Sequence, residues 1–241
     1  MTGSDELTAP HDAIPRRDPG GRLTLGDCFR DFLRRPSPWV IGVALAAVIA
    51  VRLSAGHWNW RDPLIALALV GLQPFTEWVI HVYLLHSRPV KVGGRRFDLP
   101  AAREHREHHA APADLDGVLI PTAVILVVIP LVVFTAFGIG YAINPVIGGD
   151  RVAGTLTGIV AAFVILAGYE WCHFLIHSPY VPRGRHYARA RRSHRLHHYK
   201  NERYWFGVTS NLGDRVIGTD PPPADVPRSP TARNLSEALE R

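Results

Sequence analysis

Residues 118–143 read VLIPTAVILVVIPLVVFTAFGIGYAI and contain no charged side chain. Apolar residues run all the way round any helix drawn through this stretch, so no face is left for water. Three further apolar blocks cover 39–55, 63–86 and 152–176. A helix rises about 1.5 Å per residue, so roughly 20 residues cross a hydrocarbon core of about 30 Å. The blocks at 63–86, 118–143 and 152–176 reach that length. The block at 39–55 is shorter and carries Arg52, a side chain long enough to snorkel to an interface. Pro121 and Pro130 suit membrane helices better than soluble ones. The competing reading, a soluble protein with unusually apolar core helices, fails on 118–143. The expected fold class is all-α, with four transmembrane helices.

The cationic residues set the orientation. Of the 27 Lys and Arg, 24 lie in segments 1–38, 87–117 and 178–241, and only Arg61 and Arg151 fall on the other side. Basic loops stay inside, so both termini are expected to be cytoplasmic. The net charge of +6 is therefore largely a topology signal. No fold signature for nucleic-acid binding accompanies it, and no nucleic-acid partner is expected. Cys28 and Cys172 lie too far apart in sequence to suggest a disulfide framework or an iron–sulfur site. The first 22 residues lack the apolar core of a signal peptide. Residues 221–241, opening PPPADVPRSP, read as disordered. The expected organisation is a cytoplasmic tail (1–38), a membrane-embedded domain (39–219) and a disordered tail (220–241).

Ten of the 13 histidines fall into four spaced groups: His81 and His86; His105, His108 and His109; His173 and His177; His194, His197 and His198. Positions i, i+3 and i+4 share one helix face, so the last three groups each converge on a point. His81 and His86 are five apart, about 140° round an ideal helix. They converge only if that helix end tightens or unwinds. On the deduced topology all four groups meet the cytoplasmic membrane face. Histidine is the commonest metal ligand, and ten in ligand-like groups on one side point to a metal site. Ten are too many for one ion and suit two ions with about five each. Glu77 and Glu170, close to His81 and His173, are expected to orient ligand rings through hydrogen bonds.

These residues resemble the membrane-bound fatty acid hydroxylase/sterol desaturase superfamily, and within it the fatty acid 2-hydroxylase (sphingolipid alpha-hydroxylase) branch. EWVIHVYLLH (77–86), HREHHAAPADLDGVLIPT (105–122), YEWCHFLIH (169–177) and HRLHHYKNERYWFGVTSNLGDRVIGT (194–219) are similar to that branch's histidine boxes. Glu170 stands in place of the usual aspartate, Ser193 of tyrosine, Trp205 of glycine and Gly213 of tryptophan. The resemblance covers about 63–219.

It implies a cytoplasmic helical cap holding a dimetal site of the ten histidines, with two iron ions that zinc can replace in a structure. Dioxygen is the co-substrate, and the implied activity is a monooxygenase hydroxylating a fatty acyl chain at carbon 2. The fused cytochrome b5 domain usual in the branch is not expected within this sequence. DPGG (18–21) lacks the histidine of that domain's haem-binding turn, so the expected electron donor is a separate cytochrome b5-type protein or ferredoxin. Tyr169, Tyr199, Lys200 and Tyr204 are candidate grips for the substrate's polar head. Arg183, Arg185, Arg189, Arg191 and Arg192 suit either an acidic donor or anionic headgroups. His186 lies near the fourth group but outside its spacing.

A sterol desaturase or a carotenoid hydroxylase shares the histidine pattern, and the FGVTS run at 206–210 disfavours both. A metal transporter or sensor would need polar groups through the membrane depth, which 118–143 lacks. Heavy use of Arg over Lys and a compact chain suggest a bacterial plasma membrane.

Overall fold

A computed structural model describes residues 23–181 and 183–235. The expectations for residues 1–22 and 236–241 lie outside the described residues. The chain opens with α1 (Leu25–Phe32), whose N-cap Thr24 and Asp27 form a reciprocal capping box. It continues through α2 (Pro36–Ala55) and α3 (Arg61–Val79), then a π-helical segment (Ile80–Leu85). An antiparallel hairpin follows, β1 (Val90–Val92) with β2 (Arg95–Phe97), in which Val90 faces Phe97. Then come α4 (Pro100–Ala110), α5 (Thr122–Ile143), α6 (Arg151–His177), α7 (Arg185–Tyr199) and α8 (Leu212–Ile217). A short 3-10 turn at Pro223–Asp225 precedes the last described segment. The chain is mostly helical as expected, and the hairpin is the departure from all-α.

Helix α6 is the central element, packed against α2, α3 and α5. Ile41 of α2, Ile125 of α5, and Ile159 and Phe163 of α6 form one buried cluster between these helices. A second cluster joins Cys28 and Phe32 of α1 to Val118, Leu119, Phe174 and Leu175. Among the described residues, three stretches are long and apolar enough to cross a membrane: Pro36–Ala55, Arg61–Leu85 and Arg151–His177. Their outward faces carry large apolar side chains in the open, such as Val43, Leu53, Leu67 and Val164. Such exposure is unfavourable in water and natural against lipid.

Two expectations are corrected. Arg52 does not snorkel but turns inward and is 3% exposed. It pairs with Asp62 at 3.2 Å, donates to Thr157 Oγ1 and to the Gly56 carbonyl at 2.6 Å, and lies 3.6 Å from the Trp58 ring. Asp62 and Thr157 supply partners within the protein, and a paired cation inside costs less than an unpaired one at a lipid surface. The C-terminal stretch is not disordered as far as Leu235. Ser229 N–H donates to the Lys200 carbonyl at 2.7 Å, Asn201 Nδ2 donates to the Pro227 carbonyl at 3.1 Å, and Val226, Ala232 and Leu235 are buried. Its prolines remove backbone donors but leave carbonyls, which accept from the 200–201 turn.

Candidate metal centre

The ten histidines come from four places: the π segment, α4, the end of α6, and α7. The His81–His86 pair shows how local structure serves the site. His86 N–H bonds the His81 carbonyl at 3.1 Å, an i→i+5 turn. That wider turn brings residues five apart to one side, which an α-turn would not. The helix end does unwind, through one inserted residue. The other groups lie on regular α-helix at i, i+3 and i+4.

The rings gather as two groups of five: His81, His86, His105, His109 and His197; and His108, His173, His177, His194 and His198. Within each group one nitrogen per ring lies within 4.8 Å of the others. All are buried except His86, which is partly so. The groups abut, with the His109 and His198 ring centroids 4.1 Å apart.

Hydrogen bonding fixes the tautomers. Nδ1 of His81 lies 2.6 Å from the Phe206 carbonyl, that of His109 2.9 Å from Ala232, that of His177 2.7 Å from Pro112, and that of His197 2.8 Å from Tyr204. A carbonyl only accepts, so these Nδ1 atoms carry the proton and their Nε2 atoms present lone pairs. His105 Nε2 lies 3.0 Å from His81 Nε2 and 3.2 Å from those of His86 and His109. One ring nitrogen cannot satisfy three neighbours. Two nitrogens about 2.1 Å from one cation, at right angles, sit about 3.0 Å apart, matching these contacts. In the second group, His177 Nε2 and both ring nitrogens of His108 are buried without a hydrogen-bond partner among the described residues. Burial holds His109 down to about 4 and His197 and His198 well below the ordinary imidazole range. Neutral rings with converging lone pairs fit two metal ions.

Glu77 and Glu170 were expected to bond ligand rings. Neither does. Glu77 accepts from Val208 N–H, from Thr209 N–H at 3.1 Å and from Thr209 Oγ1 at 2.6 Å, as well as from Gln73. It pins the loop whose Phe206 carbonyl holds His81. Asp214 clamps the same loop, accepting from Phe206 N–H at 2.9 Å and Gly207 N–H at 2.7 Å. Glu170 accepts from Ser37 Oγ and from Ile120 N–H at 3.1 Å, tying α6 to the starts of α2 and α5. Each carboxylate acts through backbone, one step behind the rings.

The substrate candidates separate. The Tyr169 ring lies 5.6 Å from that of His173. Lys200 Nζ is spent on the Pro223 carbonyl, and Tyr199 packs between Arg195 and Arg233. Tyr204 contributes its carbonyl to His197, while its ring meets Trp205. His186 stands apart from both groups, its Nε2 3.0 Å from the Thr209 carbonyl. Arg183, Arg185, Arg189 and Arg192 are exposed. Phe206 was not singled out, yet its ring packs on His81, His86 and His197. The FGVTS run was the available signal for it. Ala232 and Pro112 are further supports that the sequence did not reveal, because a backbone carbonyl leaves no mark on residue identity, and Asp214 supports the loop through its carboxylate.

A family model described as fatty acid hydroxylase matches residues 66–219. The chain belongs to the fatty acid hydroxylase family. It is 28% identical to the ceramide very long chain fatty acid hydroxylase of Saccharomyces cerevisiae over 85% of this chain and 51% of that protein. It is 27% identical to fatty acid 2-hydroxylase of Mus musculus over 60% of this chain and 36% of that one. With the dihydroceramide fatty acyl 2-hydroxylase of Arabidopsis thaliana it shares 28% identity over 80% and 77%. The chain thus spans about half the length of the first of these relatives and about a third of the second. A solved structure of scs7p, with only its hydroxylase domain visible, has the same fold at a TM-score of 0.60 and 24% identity, covering 80% of this chain and 69% of that one.

Two departures from the family's motifs now have a physical setting. Trp205 adopts φ 59°, the left-handed region where glycine is at ease. It is buried and anchored at both ends, by its N–H to the Thr219 carbonyl at 2.9 Å and by its indole N–H to the Pro221 carbonyl at 3.2 Å. At Gly213 a Cβ would come within 2.5 Å of the Pro74 carbonyl, so α8 sits too close to α3 for a side chain there.

Proposed function

We propose that this hydroxylase is a multi-pass membrane monooxygenase that hydroxylates a fatty acyl chain at carbon 2, with two iron ions, dioxygen and electrons from a separate cytochrome b5-type or ferredoxin donor. The observation that carries the reading is the pair of abutting five-histidine groups, neutral and with lone pairs converging, at one end of apolar helices. The named relatives, which are 2-hydroxylases and ceramide hydroxylases, support the substrate class. They also favour it over a sterol desaturase, a carotenoid hydroxylase or a transporter.

The ten histidines would hold the metals, five to each ion. Iron at these positions would supply the redox chemistry of dioxygen activation, which redox-inert zinc does not. The chain's own part is placement. Glu77 and Asp214 hold the 206–209 loop, that loop holds His81, and Glu170 fixes the end of α6 that carries His173. Tyr169, beside His173, is the best placed of the polar grips, because Lys200 and Tyr199 are engaged elsewhere.

Helix α5 is the fourth span, 22 residues without a charged side chain, alongside α2, α3 and α6. Helices α4, α7 and α8 form a cytoplasmic cap on the metal end. Basic residues put both termini on that side, in a bacterial plasma membrane, with the exposed arginines of α7 facing an acidic donor.

The test is expression with such a donor and mass spectrometry of cellular fatty acids. A product about 16 mass units heavier, by one oxygen atom, with the hydroxyl at carbon 2, is the expected result. A new double bond, or an oxidised sterol or carotenoid with acyl chains untouched, overturns it.

A further inference from the structure

The family match ends at residue 219, yet the next sixteen residues run back over the histidines. Lys200 Nζ bonds the Pro223 carbonyl, Asn201 Nδ2 the Pro227 carbonyl at 3.1 Å, and Ser229 N–H the Lys200 carbonyl at 2.7 Å. Ser229 Oγ and Thr231 Oγ1 then donate to Glu202 Oε1 at 3.0 and 2.6 Å. The next residue, Ala232, gives its carbonyl to His109 Nδ1 at 2.9 Å. Arg233 Nη2 closes the run on the Ala110 carbonyl at 3.1 Å, directly after His109. Glu202 is 5% exposed, and its other oxygen is buried without a hydrogen-bond partner among the described residues. Its carboxyl group thus anchors Thr231, the residue just before the one that holds His109, where neutral rings around divalent ions would leave positive charge uncompensated.

We propose that residues 226–235 form a strap that completes one half of the metal centre. The strap and Glu202 position His109, and through it the group His81, His86, His105, His109 and His197. The strap's Ala232 carbonyl holds His109, whereas His177 of the other group bonds the Pro112 carbonyl, outside the strap. Loosening the strap should therefore cost one ion and spare the other. This inference rests on the two-ion reading above.

The experiment measures metal content and affinity on the full chain, using iron(II) under anaerobic conditions. Wild type should take up two ions. The Ser229→Ala, Thr231→Val double variant, which removes both hydroxyl anchors on Glu202, should keep one ion at wild-type affinity and bind the second at least tenfold more weakly. Wild-type affinity for both ions overturns the strap. Failure of the wild type to bind two ions overturns the two-ion reading itself, a different result.

A second measurement needs no variant. Coupling between sites is reciprocal, so filling the His109 group must tighten the strap in turn. Hydrogen exchange at the Ser229 and Thr231 amides of the wild type should slow at least tenfold when the second ion binds. Exchange that the ion leaves unchanged overturns the proposal even if the double variant fails to fold.

Discussion

His197 Nε2 lies 3.2 Å from His109 Nε2, while the Nδ1–H of each ring is committed to a backbone carbonyl, Tyr204 for one and Ala232 for the other. Two lone pairs thus face each other in a site that excludes water. That contact is repulsive until a cation sits between them. His109→Ala or His197→Ala should lower bound metal from two ions per chain towards one, and His173→Ala should do the same through the other group. All three should reduce hydroxylation at least about 100-fold, whereas His57→Ala, at an exposed position, should leave it unchanged. Metal analysis of the purified variants checks this. Full activity of His173→Ala would end the ligand assignment.

Acid should dismantle the metal-free protein in a defined window. His109 titrates near 4 in the folded chain because it is buried, against about 6.5 when unfolded. Between those values the unfolded state binds the proton that the folded state refuses. Stability is therefore intact above about 6.5 and falls as pH drops towards 4, by up to about 1.4 kcal/mol per pH unit for each such ring. His197 and His198 are displaced in the same direction and steepen the loss. Thermal unfolding in detergent should show this decline, and metal loading should move it to lower pH because the ion competes with protons.

Glu77 and Asp214 hold the 206–209 loop at consecutive residues, Asp214 at Phe206 and Gly207 and Glu77 at Val208 and Thr209. Removing either should free the Phe206 carbonyl and with it His81. Glu77→Ala should cost about 2–4 kcal/mol, since charge-assisted hydrogen bonds from buried backbone N–H groups are lost. Asp214→Asn should cost less but still weaken metal binding, because an amide oxygen accepts only part of what the carboxylate did. Unfolding and metal titration together separate the two effects.

Arg52 and Asp62 make the opposite case, a buried pair far in sequence from any ligand. Arg52→Ala leaves Asp62 buried without its ion-pair partner and should cost about 3–5 kcal/mol. The apolar double variant Arg52→Met, Asp62→Leu should recover much of that. Metal content per folded chain should be unchanged in both, and a loss of metal would show that the far end of the bundle shapes the site.

Three of the apolar spans and the gathering of the ten histidines were legible in the sequence because both rest on side-chain chemistry. Apolarity all round a helix survives in 118–143 without any structure, and so does i, i+3, i+4 spacing in 105–109 and 194–198. The His81–His86 pair was legible only as a conflict, since five-residue spacing opposes α periodicity and the inserted residue that resolves it has no signature of its own. Supports made by carbonyls, such as those of Ala232 and Pro112, were invisible because every residue type offers one. The ordered strap was hidden for a related reason. Proline-rich composition signals a lack of donors, yet here the Pro223 and Pro227 carbonyls accept from Lys200 and Asn201 while Ser229, Thr231 and Arg233 supply the donors.

Helix α6 is 27 residues long, and so about 40 Å, whereas the hydrocarbon it crosses is about 30 Å thick. Measured from Arg151, His173 and His177 lie about 33 and 39 Å along the axis, beyond the point where the acyl region ends. With Arg151 at the far membrane edge, the two histidine groups would stand level with the lipid's polar head and not with its methylenes. On the proposed function, an acyl chain anchored by that head would offer its first carbons to the histidine groups and keep its distal ones below them in the bilayer. For the carbon-2 hydroxylation proposed above, the membrane itself would act as the ruler, with surplus helix length selecting the carbon as much as any pocket residue does.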